Sequence, residues 1–370
     1  MPSVVIIGTR GYPSYYGGFE TAIRKLAPYL ADAGWDVCVY SRSAAIRPDD
    51  ETRDPRVKSI ITRGVENRSL STLSYGFTST LDALRRKPDV ALVMNVANGF
   101  WLPLLRAARI PTLVNVDGIE WERAKWGRLA KVAFRSGAKL TARHATELVV
   151  DAAAIGDRWL ADFGRSGVFI PYGGDAVPEE LSVEQGLQRR GYVLMVARFV
   201  PENTIDEFFR AAPVIAEKYP VVIVGSSGYG GEFDERARRL ATNPRIHWLG
   251  HVSDDQRLLS LWQHCGVYFH GHSVGGTNPA LVQAMAAGAP VVARDTVYNR
   301  EVLAGGGKYT SPLASSIADD IIAAMTDEAG LDRVSEENVK RARDVYGWDA
   351  VNSSYEGALR ALVRMPNDKS

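Results

Sequence analysis

The sequence predicts an α/β protein made of two doubly wound domains, each with a parallel sheet covered by helices. Short runs rich in Val and Ile alternate with helix-length amphipathic segments along most of the 370 residues. This alternation stops at the polar, turn-rich stretch 174–190 and starts again at 191. Because 46% of the residues are hydrophobic, the chain has enough apolar side chains for two cores.

The first domain is expected over residues 1–173 and begins with a β-α-β unit. The strand SVVIIG at 3–8 precedes a glycine-containing loop and a helix with apolar residues at helical spacing: Phe19, Ile23, Leu26 and Leu30. Gly34 ends this helix before the strand DVCVYS. Four more strands are predicted at 89–96, 111–118, 147–152 and 167–173.

The second domain is expected over 191–345, after a linker at 174–190. Its strands are predicted from 191 and at 219–228, 245–252, 266–271 and 289–294. One apolar stripe then predicts an amphipathic helix over 346–364, which we assign to the first domain: Trp348, Val351, Tyr355, Leu359 and Leu362.

The composition excludes several classes of function. The chain has 44 Lys and Arg against 43 Asp and Glu, so no overall field favours nucleic acid, and any anion site must be local. Cys38 and Cys265 lie in separate apolar runs and are expected as buried thiols. The first residues are too few for a signal peptide, and no run approaches the roughly 18 apolar residues of a membrane span. We therefore expect a cytoplasmic protein.

Candidate site residues follow the predicted strands, where doubly wound domains bind ligands. Gly17 and Gly18 precede the first helix and would let a phosphate or sugar approach the backbone, although such glycines also serve tight packing. The loop does not fit the G-x-G-x-x-G dinucleotide pattern. Arg198 directly follows a buried strand, where a guanidinium can clamp a diphosphate; the alternative is a surface ion pair.

The stretch HGHSVGGTNPALVQAM, from 270 to 285, places small and turn-forming residues before a helix. Pro279 suits the first helical position, and Asn278 or Thr277 can cap it. Unpaired amides would then face the turn at Gly275 and Gly276 and hold a phosphate. The helix dipole contributes about 0.3–1 kcal/mol when exposed, whereas a charge-assisted hydrogen bond contributes about 1.5–3 kcal/mol. Arg198 is therefore expected to be the stronger anchor.

Asp117 ends another apolar strand, where it could orient a sugar hydroxyl or cap a helix. After it comes a basic segment interleaved with aromatic and aliphatic residues, with basic positions Arg123, Lys125, Arg128, Lys131, Arg135, Lys139 and Arg143. Such a face usually meets water, but an enzyme acting on an anionic lipid would use it to reach a membrane surface.

Taken together, these residues give the whole chain a resemblance to the GT-B glycosyltransferases of family 4, and within them to bacterial β-1,4-rhamnosyltransferases of capsule and cell-wall polysaccharide synthesis. The matching stretches are GTRGYPSYYGGFET, VDGIEWERAKWGRLAK, IPYGGD, VARFVPEN and GHSVGGTNPALVQAMAAGAPVVA. The resemblance implies two Rossmann-like domains with a cleft between them and a C-terminal crossing helix. It also implies a retaining hexosyltransferase that needs no metal or cofactor, with the leaving phosphate acting as the base.

The implied donor is a nucleotide-diphosphate sugar, dTDP-β-L-rhamnose as the best guess, and the implied acceptor is a saccharide on a polyprenyl diphosphate at the inner face of the plasma membrane. By resemblance, Arg198 holds the diphosphate, Gln283 meets the ribose and Val252 lies near the base. The other residues expected around the donor are Gly17, Gly18, Asn203, His270, Gly275, Gly276, Thr277 and Asn278. Asp117 and Arg198 are the expected catalytic residues, and the expected acceptor or membrane residues are Glu120, Trp121, Arg123, Lys125, Trp126, Arg128 and Lys131.

Three positions depart from the common pattern of family 4. Gly275 and Gln283 stand where a Glu, seven residues and a second Glu are usual, and Asn203 replaces a Lys. The Gly275 and Asn203 changes fit the rhamnosyltransferase-like subgroup, whereas Gln283 would suit a deoxyribose that needs fewer contacts. The altered positions leave two alternatives to a transferase: a non-catalytic nucleotide-sugar-binding protein and a sugar-nucleotide epimerase of the same architecture.

Overall fold

The computed structural model describes residues 1–364 except 16, 44, 46–48, 67–70, 124, 125, 178 and 229. The chain forms two units, one made of Met1–Tyr172 with the C-terminal segment from Trp348, the other of Gly173–Gly347. Each unit contains one parallel sheet with its own buried core. Both predicted doubly wound α/β sheets are confirmed.

The first unit has a seven-stranded sheet in the order β3-β2-β1-β4-β5-β6-β7. The strands are β1 Ser3–Ile7, β2 Asp36–Ser41, β3 Lys58–Ile61, β4 Val90–Met94, β5 Thr112–Asn115, β6 Glu147–Val150 and β7 Val168–Phe169. The helices are α1 Gly18–Asp32, α2 Ser71–Arg86, α3 Leu102–Ala107, α4 Arg128–His144, α5 Ala153–Phe163 and α13 Trp348–Arg364. Six of the seven strands were predicted, and the central ones are nearly continuous apolar runs because they are covered on both faces. The sequence does not predict β3, because KSII is short and its two ends are exposed.

The second unit has a six-stranded sheet in the order β10-β9-β8-β11-β12-β13. Its strands are β8 Val193–Val196, β9 Val221–Val224, β10 Ile246–Gly250, β11 Val267–His270, β12 Val291–Arg294 and β13 Lys308–Thr310. Its helices are α6 Ile205–Ala216, α7 Glu232–Leu240, α8 Asp255–His264, α9 Pro279–Ala286, α10 Val297–Leu303, α11 Ala314–Met325 and α12 Glu328–Tyr346. The sequence does not predict β13, whose three residues KYT carry no apolar run.

The segment predicted as a linker belongs to the second unit, where it packs on α8. The main-chain amide of Leu181 donates to Gln263 Oε1 at 2.8 Å, and the Ser260 hydroxyl donates to the Ser182 carbonyl at 2.6 Å. The two ends of this unit also meet, because the Gly174 amide donates to the Tyr346 carbonyl at 2.8 Å. Residues 174–190 are therefore part of a domain and do not form a free connection.

Helix α13 completes the core of the first unit. Its apolar stripe is buried in the same cluster as the strands of that sheet, through Val351, Tyr355, Leu359 and Leu362. The Tyr355 hydroxyl accepts a hydrogen bond from Asn115 Nδ2 at 2.6 Å, at the end of β5. The C-terminal helix thus contributes both apolar area and a buried polar contact to this unit.

Two further predictions concern the whole chain. Cys38 and Cys265 are free buried thiols, as predicted, and burial raises the pKa of each to about 12. Of the helices that the structure describes, none combines the length and the apolar character needed to cross a membrane.

Candidate active site

The strand order of the second sheet places its candidate site. From β8 the chain runs outward through β9 and β10 and then returns to β11 on the other side of β8. At such a switch point the loops after the two central strands diverge and leave a crevice that binds ligands. The loops that follow β8 and β11 contain Arg198 and the turn at Gly275 and Gly276.

In the loop after β8, the side chain of Arg198 is exposed to solvent, whereas that of Asn203 makes a hydrogen bond within the loop. The Arg198 side chain is exposed, and within the described part of the chain its guanidinium has no hydrogen bond or ion pair. Asn203 is only 3% exposed, and its Nδ2 donates to the Arg198 carbonyl at 2.8 Å. The Asn203 amide thus supports the loop that carries Arg198, and its expected contact with the donor stays a prediction.

The loops after β8 and β11 are hydrogen-bonded to each other. The main-chain amide and hydroxyl of Ser273 both donate to the Glu202 carbonyl, at 2.9 and 2.8 Å. The Thr204 hydroxyl donates to the Gly271 carbonyl at 2.5 Å. A side chain at Gly271 would collide with the Asn203 carbonyl, so the close approach requires glycine there. The arginine and the glycine turn are thus held by one local structure.

Helix α9 begins as predicted, but its first amides are occupied. Asn278 is the N-cap and its Oδ1 accepts from the Ala280 amide at 3.0 Å, while Pro279 is the first helical residue. The amides of Leu281 and Val282 both donate to the Asn278 carbonyl, at 3.0 and 3.1 Å. The predicted unpaired amides at the helix start are therefore satisfied within the helix.

Amides available to a ligand lie one turn earlier. Gly275 has φ +104°, a backbone conformation that favours glycine. In the described chain the amides of Gly275 and Gly276 have no hydrogen-bond partner. Thr277, which follows them, is 4% exposed. A phosphate near this turn would meet uncharged main-chain donors, as in other anion-binding turns.

Gln283 pairs with the main chain of Asp175. Its Oε1 accepts from the Asp175 amide at 2.9 Å, and its Nε2 donates to the Asp175 carbonyl, also at 2.9 Å. Each polar group of the side chain therefore makes one hydrogen bond inside the second unit, and the expected contact with a ribose stays a prediction. A glutamate could not make the second hydrogen bond, because an ionised carboxylate only accepts.

His270 and Val252 are both buried in this structure, and their expected contacts with the donor stay predictions. His270 is fully buried at the end of β11, where its Nδ1 lies 3.0 Å from the Tyr268 hydroxyl and its ring stacks on His272. Burial, with a smaller contribution from His272, lowers the pKa of His270 well below its ordinary value. Val252 is 9% exposed and belongs to the core.

The first unit keeps the predicted glycine pair at the start of α1. Gly17 is the N-cap and Gly18 the first helical residue. Gly17 has an extended φ of −172°, and a side-chain carbon there would make only an ordinary contact with Glu20, at 3.5 Å. Because the fold itself does not require glycine at 17, a close ligand remains the reason that we favour.

Asp117 lies beside a partly buried ion-pair network. It follows β5 with φ +55°, and its Oδ2 is 3.7 Å from Arg123 Nη2. Arg123 Nε lies 2.5 Å from Glu120 Oε1, and Trp126 Nε1 donates to Glu120 Oε2 at 2.9 Å. Arg123 therefore faces two carboxylates, and this network fixes the side chains next to Asp117.

Two of the residues predicted at an acceptor or membrane surface are buried. Trp121 is 5% exposed and packs edge-on against Phe163 and Trp159, with ring centroids 5.7 and 6.3 Å apart. Glu120 is 4% exposed within the Asp117 network. Neither side chain lies at the surface in this structure, and their expected roles at an acceptor stay predictions. Lys125, also predicted there, lies outside the described residues.

The exposed part of the basic segment is on α4. Arg128, Arg135 and Lys139 are exposed on this helix, and Lys131 is partly buried. Two apolar side chains lie among them, Leu129 at 88% and Val132 at 65% exposure. The opposite face, with Gly137, Ala138 and Thr141, is buried. The helix therefore presents a mixed basic and apolar surface.

One group of polar residues was missed by the sequence analysis. Arg42 and Thr9 line a pocket at the carboxyl edge of the first sheet. Arg42 directly follows β2, just as Arg198 follows β8 closely, so the same signal could have identified it. Elsewhere in the described chain, no three His, Cys, Asp or Glu side chains group closely enough to hold a metal ion.

Two doubly wound parallel sheets, with candidate ligand loops at the carboxyl edges, define a protein of the GT-B class. Sucrose-phosphate synthase from Thermosynechococcus elongatus superposes with a TM-score of 0.78 at 17% identity, covering 98% of this chain and 99% of that one. Anabaena HepE in complex with UDP-glucose gives a TM-score of 0.74 at 15% identity, covering 98% and 100%. These similarities confirm the fold.

Two family models then identify the domains. The glycosyl transferase 4-like domain matches residues 17–173, and the glycosyl transferases group 1 model matches residues 179–342. The chain thus belongs to the GT-B glycosyltransferases that combine a 4-like domain with a group 1 domain.

The curated relatives carry mannosyltransferase names. The phosphatidyl-myo-inositol mannosyltransferase of Mycolicibacterium smegmatis is 29% identical over 224 residues, and the match covers 56% of each chain. The MMP alpha-(1->4)-mannosyltransferase of Mycolicibacterium hassiacum is 23% identical over 95% of this chain and 97% of that protein. This chain therefore spans about half the length of the first relative, and the resemblance to rhamnosyltransferases stays a prediction.

Proposed function

We propose that this protein transfers a hexose from a nucleotide-diphosphate sugar to a saccharide acceptor, with retention of configuration and without a metal ion. The observation that carries the proposal is the exposed Arg198 guanidinium on a loop bonded to the Gly275–Gly276 turn. Diphosphates in proteins are commonly bound by an arginine guanidinium, which can donate two hydrogen bonds, together with main-chain amides. Both kinds of donor lie at the switch point of the second sheet.

The proposed chemistry needs charge stabilisation on the leaving group. As the bond between the sugar carbon and the phosphate oxygen breaks, negative charge grows on the diphosphate. Arg198 would stabilise this charge through hydrogen bonds to non-bridging oxygens, assisted by the amides of Gly275 and Gly276. The acceptor hydroxyl attacks the same face, and its proton passes to the departing phosphate oxygen. No protein nucleophile is required.

Asp117 is proposed to orient a sugar hydroxyl. Its carboxylate is 21% exposed, and the neighbouring Arg123 is shared with Glu120. A carboxylate oxygen accepts hydrogen bonds, so Asp117 could take one from a sugar hydroxyl. Hydrogen bonds to a charged acceptor contribute about 1.5–3 kcal/mol.

For the donor we propose L-rhamnose carried by dTDP, and the second candidate is D-mannose. The proposal of rhamnose depends on Gly275 and Asn203, which resemble the residues of rhamnosyltransferases at these positions. The proposal of mannose depends on the relatives, which are named as mannosyltransferases. The pairing of Gln283 with Asp175 explains the missing glutamate structurally, so this position no longer argues for a deoxyribose.

The test is a mass-spectrometric assay of the purified chain with dTDP-rhamnose, GDP-mannose, UDP-glucose and UDP-N-acetylglucosamine, with and without a GlcNAc-diphospho-lipid. Addition of a deoxyhexose only from dTDP-rhamnose would support the favoured donor, and transfer from GDP-mannose would support the second. Arg198→Gln should lower kcat/KM by roughly 10- to 150-fold, which corresponds to one charge-assisted hydrogen bond. Arg239→Gln removes an exposed arginine from α7 and serves as control. If the chain binds a nucleotide sugar but forms no product with any donor and acceptor, the result would favour a non-catalytic binding protein. If it converts the donor when no acceptor is present, the result would favour an epimerase.

We further propose that α4 brings the enzyme to an anionic membrane that carries its acceptor. Arg128, Arg135 and Lys139 are exposed together with Leu129 and Val132, so charge and apolar area lie on one helix. Each basic residue near an anionic surface contributes about 1 kcal/mol. The inner face of the plasma membrane is the proposed location, with cell-surface polysaccharide as the product.

Vesicle co-sedimentation tests this location. The double variant Arg135→Glu and Lys139→Glu should bind phosphatidylglycerol vesicles at least about 30-fold more weakly, since two contributions of about 1 kcal/mol are lost. The variant Arg333→Glu with Lys340→Glu makes the same charge change on exposed positions of α12. Equal loss in both variants would mean that net charge, and not α4, governs binding.

A further inference from the structure

A second polar pocket lies in the first unit, at the carboxyl edge of its sheet. It is formed where β1, β2 and β3 end and is closed on one side by α2. Its lining includes the cationic side chain of Arg42 and the hydroxyl-bearing side chains of Thr9, Thr72 and Tyr75. The pocket is small, so its occupant must be a single group and not a whole sugar.

Arg42 supplies a buried and incompletely satisfied cation. Its side chain is 8% exposed, its Cζ lies 4.7 Å from the centroid of the Tyr75 ring, and its buried Nε has no hydrogen-bond partner in the described chain. The nearest carboxylate, Glu66, is 3.9 Å from Nη1 and 57% exposed. An ion pair of that length and exposure contributes little. Burial, then the neighbouring Arg10, lower the pKa of Arg42.

Thr9 adds a second unsatisfied donor to the same pocket. It is 5% exposed, and its buried Oγ1 has no partner in the part of the chain that the structure describes. Buried polar atoms are nearly always hydrogen-bonded, so two orphans on one pocket indicate a missing ligand. Thr72, in the first turn of α2, also lines the pocket and adds a further hydroxyl-bearing side chain to it.

We propose that this pocket binds one small oxyanion, a phosphoryl or carboxyl group, through the Arg42 Nε–H and the Thr9 hydroxyl. Under the proposed function, on which this step rests, the oxyanion is a substituent of the acceptor, because the donor loops lie in the second unit. The acceptor is then a negatively charged saccharide.

Calorimetric titration of the full chain with inorganic phosphate and with acetate tests the pocket, at constant ionic strength and with dTDP present to occupy the proposed donor site. We expect saturable binding of one of these anions, weakened roughly 10- to 150-fold in Arg42→Gln, as for the loss of one charge-assisted hydrogen bond. Thr9→Val, which keeps the side-chain shape, should also weaken binding. Arg63→Gln removes an exposed arginine just after β3 and should leave binding unchanged.

Tighter phosphate binding would indicate a phosphorylated acceptor, and tighter acetate binding a carboxylated one. Absence of saturable binding for both anions, or binding that neither Arg42→Gln nor Thr9→Val alters, would overturn the inference. Failure of the proposed function is separate, since it would appear as absent sugar transfer while anion binding in the first unit persists.

Discussion

The pairing of Gln283 with the main chain of Asp175 predicts that a glutamate at this position destabilises the second unit. Gln283→Glu keeps the acceptor for the Asp175 amide but removes the donor that satisfies the Asp175 carbonyl 2.9 Å away. An unsatisfied acceptor costs about 1–3 kcal/mol when buried, and the partial exposure of Gln283 favours the lower part, about 1–2 kcal/mol. For a domain of this size, 1 kcal/mol shifts Tm by about 2–4 °C, so the expected decrease is about 2–8 °C.

The pH dependence of this decrease identifies its cause. A protonated glutamic acid can donate to the Asp175 carbonyl, so the folded state should raise the pKa of the introduced group above its unfolded value of about 4.3. A raised folded pKa means that the variant is nearly as stable as the parent below the unfolded pKa and loses stability as pH rises through the folded pKa. Differential scanning calorimetry between about pH 4 and 7.5 measures this.

Gln256→Glu introduces the same charge at an exposed position of α8 and should change stability by less than about 0.5 kcal/mol. If Gln283→Glu is as stable as the parent at neutral pH, or is destabilised equally at all pH values, the pairing with Asp175 does not have the stabilising role argued above.

Three further predictions concern side chains that make buried or partly buried hydrogen bonds. Tyr355→Phe removes the acceptor of Asn115 Nδ2 and should lower stability by about 1–3 kcal/mol, whereas Tyr219→Phe, which loses no hydrogen bond described here, should not; equal Tm values for the two variants would contradict this. Asn278→Ala should cost about 1 kcal/mol through loss of the cap on the Ala280 amide. Asn278→Asp should keep the cap and the Tm yet weaken nucleotide-sugar binding, because it brings a negative charge to the proposed phosphate turn; unchanged affinity would argue against a phosphate there.

Most of the strands that could be predicted are apolar runs, and the central ones are buried on both faces. DVCVYS and VALVM are apolar runs bounded by turns, and they appear as β2 and β4. In contrast, β3 and β13 are short strands at the edges of their sheets with few apolar residues, so periodicity could not reveal them.

At the site, local signals were predictable and long-range pairings were not. The Asn278 cap follows from residues adjacent in sequence, and the sequence predicted it. Gln283 and Asp175 are separated by 108 residues in the sequence, and no local pattern in either segment predicts their contact. Trp121 lies in a segment that looks basic and amphipathic in the sequence. In the structure it packs against Trp159 and Phe163 of a later helix and is buried. Sequence neighbours set charge and spacing, while burial depends on segments that meet only in the folded chain.

The bridge between Gly174 and Gly347 has a consequence for the order of folding. The first unit is split in sequence by the whole of the second, so docking α13 from an open chain would close a loop of roughly 175 residues, with a length-dependent entropy cost on the order of 4–5 kcal/mol. When the second unit folds first, its own contacts bring residues 174 and 347 together. The effective loop is then short, because the contact between residues 174 and 347 places the start of Trp348–Arg364 only a few residues from Tyr172. The helix therefore docks on the first sheet at a lower entropy cost. Folding of the inserted domain thereby brings together the two chain segments that form the other domain.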